Sequence, residues 1–184
     1  MDARERGIME NGSDQDKKNL RISDGTVQKM NRTYIDKINN TVKFNNDILF
    51  ILGDFGYFKD EAAVHSMRSR ICVEQVYFII GNHDRRQWVQ TPFDRVYDQL
   101  EINVDGKPIT LNHYAMLRWN KSHHGSYMLF GHSHGMLGEW IGQHMPWCRL
   151  LDVGVDGHSM EGHYAPWSFK EVKEYMDKRE GEKL

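Results

Sequence analysis

Three short apolar runs, at 48–52, 76–80 and 127–130, each end in a glycine followed by side chains able to hold a metal ion: Gly53-Asp54, Gly81-Asn82-His83-Asp84 and Gly131-His132-Ser133-His134-Gly135. Runs of this length bounded by turn residues predict strands. Before the first run, Val27, Met30, Tyr34, Ile35, Ile38 and Val42 recur at helical spacing, and Asn45-Asn46-Asp47 predicts a turn. Between the first two runs, Asp60 is placed to cap a helix carrying Val64, Met67 and Ile71 along one face. Strand, helix and strand make a β-α-β unit, whose parallel strands send their following loops to one sheet edge, where open α/β sheets hold ligands. Asp54 and Asn82-His83 are therefore expected to be neighbours.

Past residue 95 the pattern changes. Strands are expected at 96–104 and 107–113 around Asp105-Gly106, a hairpin turn, with 127–130 and 149–155 continuing a meander. Ser168-Phe169-Lys170-Glu171 is a capping box that opens a final helix, with Phe169, Val172 and Tyr175 or Met176 facing inward. The expected class is α/β, with sheets packed on each other and helices outside. Residues 1–20 are polar and have no apolar period, which predicts a poorly ordered segment ahead of a single domain at 21–184.

Composition narrows the function classes. A chain of 184 residues supports one sizeable core. The formal net charge of -2 supplies no basic field, so nucleic acid is expected only as a substrate. The sequence has no long apolar span and no signal peptide, and Cys72 and Cys148 lack metal or redox spacing, which predicts a cytoplasmic protein with free thiols and no membrane partner. Ten histidines are many for this length, and six of them lie from His113 to His144.

Each candidate has a plainer structural reading. Asp54 is either a turn aspartate or a carboxylate ligand. Gly81-Asn82 could be a simple turn, but that leaves His83 and Asp84 unexplained, and the loop as a whole supplies an oxygen ligand, an imidazole and a carboxylate to steer the imidazole. His113, at the end of the hairpin, could be a half-buried structural histidine. His132 and His134 on a tight glycine-flanked loop gain little by packing and much by sharing a cation. Arg85 and Arg86 are either solvated or in reach of a substrate phosphate, and His123 and His124 sit in a polar loop.

In this order the blocks resemble the calcineurin-like metallophosphoesterase superfamily, whose pattern runs Asp-x-His, Gly-Asp, Gly-Asn-His-Asp/Glu, a lone His and Gly-His-x-His. Four of the five blocks are present. Leu52-Gly53-Asp54-Phe55, Asn112-His113-Tyr114 with Trp119, Val153-Gly154-Val155-Asp156 and Ala165-Pro166-Trp167-Ser168-Phe169 are similar to the small bacterial and phage-type members, over about residues 20 to 176. The resemblance implies a four-layer α/β/β/α sandwich with two divalent metals at the strand ends. Asp54 would bridge them, Asn82, His113 and His132 would complete the second site, and His134 would bind the first metal. The family chemistry is attack of a metal-bound hydroxide on a phosphomonoester or phosphodiester. His83 would serve the leaving group, with Asp84 holding its ring. The donor set suits Mn²⁺ first, with Fe, Zn²⁺ or Ni²⁺ as alternatives.

The family's first block is the departure. One reading makes 20–26 a degenerate version, with Asp24 as the carboxylate and Thr26 in the place of the histidine. The other aligns Asn19-Leu20-Arg21-Ile22 with the segment following that block, so that the N-terminal strand and both its ligands are absent. The second is preferred, because Ser23-Asp24-Gly25 is an ordinary turn signal and only two apolar residues precede it. The first metal site then keeps Asp54 and His134 alone, where a firmly held ion wants three or four ligands. Three functions follow as alternatives: a phosphoesterase with weakened activity, a catalytically inactive metal-binding or interaction module that retains the fold, and a histidine-rich scaffold without specific metal.

Overall fold

The structure, a computed structural model, describes residues 24–42, 46–156 and 164–179. The chain comprises two compact units, Met1–Tyr34 and Ile35–Leu184. The described part of the first is the opening of helix α1 (Asp24–Thr41), where Val27 and Met30 are exposed. The expectation of disorder at 1–20 and the segment 19–22 of the preferred alignment lie outside the described residues, as does Asn45 of the expected turn. Asp24 and Thr26 are helical, so they do not form the strand-end loop that the degenerate-block reading needs.

In the second unit, strand β1 (Ile48–Ile51) pairs in parallel with β2 (Gln75–Ile79) across helix α2 (Glu61–Arg68), which is the expected β-α-β unit. Asp60 caps α2 as anticipated, its carboxylate accepting from the Ala63 amide at 2.9 Å. After the short helix α3 (Arg86–Val89), strand β3 (Arg95–Tyr97) pairs in parallel with β2, giving a three-stranded sheet in the order β1-β2-β3. Among the described residues, β1 lies at an edge of that sheet, with Ile48 exposed.

The single strand expected at 96–104 is two. β3 belongs to the first sheet, and β4 (Gln99–Val104) begins the second, so the chain changes sheets at Asp98. Val96, Leu100, Ile102 and Val104 share one even-numbered period that Asp98 interrupts at a single position, and a one-position lapse does not by itself mark such a crossing. The second sheet has the order β4-β5-β6-β7, with β5 at Lys107–Asn112, β6 at Tyr127–Phe130 and β7 at Leu150–Asp152. The Asp105-Gly106 hairpin forms, but β5, β6 and β7 run parallel, which corrects the expected meander. Helix α4 (Gly138–His144) links β6 to β7, and α5 (Phe169–Asp177) opens on the full capping box at Ser168 and Glu171.

Three buried clusters organise this unit. Val76 and Phe78 of β2 pack with Val64 of α2, Val89 of α3 and Phe93. The opposite face of the strand sends Ile79 into a second cluster with Leu52, Ile109, Leu111, Tyr127, Leu151, and Val172 and Met176 of α5. β6 divides in the same way, Tyr127 turning to the second cluster and Met128 and Phe130 to a third with Ile141 of α4 and Leu150. Alternation of side chains along a strand therefore assigns both β2 and β6 to two cores.

Candidate metal centre

Four loops meet where strands end. Gly53-Asp54 follows β1, 81–84 follow β2, His113 follows β5 and 131–135 follow β6. Because β1 runs parallel to β2 and β5 to β6, each pair of loops leaves its sheet in one direction. The glycines are required by crowding. A Cβ at Gly81 would meet the Asp54 amide nitrogen at 2.5 Å and collide with its carboxylate, and one at Gly53 would lie 2.7 Å from the Gly81 Cα.

His113 joins the two sheets. It is 1% exposed, and its Nδ1 lies 2.7 Å from the Leu52 carbonyl oxygen, while its own carbonyl accepts from the Gly131 amide at 3.1 Å. A carbonyl can only accept, so Nδ1 carries a proton, and in the tautomer this selects for a neutral ring Nε2 is the lone-pair atom. Facing that lone pair are Asn82 Oδ1 at 2.9 Å, His132 Nδ1 at 3.2 Å and Asp54 Oδ2 at 3.4 Å. Each of these atoms, like Nε2 itself, can offer a lone pair to a cation. One proton could serve one such contact, whereas a cation serves all four atoms together. Donor atoms around a tetrahedral cation with bonds of about 2.0–2.1 Å stand about 3.3–3.4 Å apart, close to the observed spacing. The ligand atoms of Asp54, His113 and His132 all lie within 4.8 Å of one another, so the residues present fit a divalent metal.

The loops after β1 and β2 are fastened differently from expectation. Asp84 does not hold the His83 ring, because both its oxygens are occupied by backbone: Oδ2 accepts from the Asp54 amide at 2.7 Å and the Gly81 amide at 2.8 Å, and Oδ1 from the Phe55 amide at 3.1 Å. It fastens the loop after β1 to the loop after β2. Burial pushes its carboxyl up from the ordinary carboxylate range, against the opposing pull of those three amides. His83 donates its amide to Asp54 Oδ1 at 2.9 Å, and its exposed ring stands against Tyr57, with centroids 4.8 Å apart.

The structure thus brings together Asp54, Asn82, His113 and His132, with His83 beside them. His134 is engaged elsewhere, its Nδ1 paired with the Asp156 carboxylate, and Asp24 belongs to helix α1. Two carboxylates in this region were given no role from sequence. Asp156 is the partner of His134. Asp152, at the end of β7, shapes the double-histidine loop by accepting from Ser133 Oγ at 2.5 Å and the Gly135 amide at 2.9 Å. The available signal for Asp152 was an acid ending an apolar strand, the same form that marks Asp54.

No protein-family model and no curated protein matches this sequence. Among solved structures, the fold is similar to that of a protein of unknown function, AQ665 from Aquifex aeolicus. The TM-score is 0.60 at 21% identity, over 79% of this chain and 84% of that one. That likeness supports a mixed α/β architecture built from a parallel three-stranded sheet, a mixed four-stranded sheet and helices. Among the described residues, no helix is long and apolar enough to cross a membrane.

Proposed function

We propose that this protein is a divalent-metal-dependent phosphoesterase that hydrolyses a phosphomonoester or phosphodiester. The observation that carries the reading is the convergence of four atoms able to ligate a metal, from Asp54, Asn82, His113 and His132, on one small volume. The three buried clusters support a four-layer order, with helices outside two facing sheets, as the metallophosphoesterase resemblance implies. A bound divalent ion, Mn²⁺ foremost, would supply Lewis-acid stabilisation of phosphoryl oxygen charge and lower the pKa of water. The protein's own part is to hold that ion with the four named residues and to keep the loops in register through Asp84. His83, whose ring lies exposed beside these residues, would pass a proton to the leaving alkoxide.

The inactive metal-binding module has one observation in its favour: His134 is committed to Asp156, and Asp24 is helical, which leaves a second cation with few ligands. Hydrolysis of bis(p-nitrophenyl) phosphate with saturating Mn²⁺ separates the two. The enzyme reading expects a metal-dependent rate that falls at least about a hundredfold in Asp54→Asn, on the scale of removing a group that stabilises transition-state charge. Equal rates in the two proteins would leave the module.

A further inference from the structure

A cavity of about 300 Å³ adjoins the metal centre and has two chemically different ends. Asn82 and His83 form the polar end, and Tyr57, Phe58, Trp88 and Val89 form the other. The two ends are continuous, because the Tyr57 ring rests against the His83 ring. Arg85 lies along the same wall, its guanidinium 4.6 Å above the Trp88 ring, and among the described residues it has no carboxylate partner. Arg86 next to it is tied to Asp98. Of the arginine pair, Arg85 is therefore the one left for a ligand.

We infer that this cavity receives the organic group of the substrate and that the group is planar and aromatic. The inference rests on the phosphoesterase reading for the place of the phosphate, at Asp54, Asn82, His113 and His132, and on the cavity for the rest of the molecule. Three features support it. The volume stands at the small end of ligand pockets, about 300–1,000 Å³, which suits one ring system rather than a protein or polymer segment. The far end offers aromatic faces, on which planar rings stack regardless of their identity. Arg85 lines the cavity with its cation over the Trp88 ring, where it can meet both a ring and an anionic oxygen.

The matched probes are adenosine 5′-monophosphate and ribose 5-phosphate, which share the phosphate and the leaving alkoxide and differ in the ring system. Dissociation constants for the Mn²⁺-loaded full chain are measured by calorimetry, and kcat/KM is measured in parallel. The nucleotide should bind about tenfold more tightly, a modest share of what base-aromatic stacking provides. Trp88→Ala should bring the nucleotide to the level of the sugar phosphate. Tyr57→Ala, at a side chain 84% exposed and so removable without disturbing the core, should do the same. Equal affinity of the wild type for the two probes, absence of measurable binding, or a preference that survives both substitutions overturns the inference. Ring-dependent binding without turnover of either probe upholds the cavity's role and counts against hydrolysis, so the two readings fail separately.

Discussion

Asp54, His132 and His134 all hold positive φ, at 53°, 56° and 50°. Non-glycine residues reach this region at about 1–2 kcal/mol each, and such residues gather where function over-determines the backbone. Asp54 is held by its amide on Asp84, and the 131–135 loop by Asp152. Space around Asp54 is equally constrained. Gly81→Ala should force its carboxylate aside, abolish Mn²⁺ binding measured by calorimetry and cost about 1–3 kcal/mol in denaturant unfolding; a variant that binds Mn²⁺ normally would show that Asp54 is not a ligand. At this scale the candidate ligands were legible as a motif, because each follows a strand, and Asp54, Asn82 and His132 follow a glycine as well. Asp84's actual partners were not, since two of the three are amides contributed by a loop about thirty residues away, and amides leave no mark in a sequence.

Elements were legible where local chemistry decides them. The capping box at Ser168 and Glu171 is complete, with the Ser168 amide donating to Glu171 at 2.7 Å, and α5 delivers Val172 and Met176 into the second cluster. Ser168→Ala should destabilise the protein by about 1 kcal/mol, lowering the melting temperature by about 2–4 °C. An unchanged melting curve would mean that packing alone holds the helix. Strand direction was not legible. β5 and β6 are parallel neighbours, and the apolar pattern of a strand is the same in either direction. The passage from β3 to β4 at Asp98 was hidden for a related reason, since alternation records which residues point inward and not which sheet they point into.

In the second unit as a whole, the candidate metal centre is a junction: His113, at the end of β5 in the second sheet, reaches the Leu52 carbonyl at the end of the first. A cation held by ligands from both sheets should therefore stabilise the folded unit. Mn²⁺ at about a hundred times its dissociation constant should add about 2.7 kcal/mol, seen as a rise of about 5–10 °C in melting temperature that EDTA reverses and His132→Ala abolishes. A melting temperature indifferent to metal would argue against a site shared by the two sheets. The sequence by itself determined the β-α-β unit, the capped helices, the hairpin and the residues able to bind a cation, because turn chemistry, caps and side-chain donors are local properties. Tertiary structure decided which donors share a volume. It grouped His132 with His113 and gave His134 to Asp156, turned Asp84 into a clasp between loops, and set Tyr57 and Trp88 on the cavity beside the candidate metal centre. Those outcomes depend on how two sheets meet through space, and spacing along the chain carries no measure of that distance.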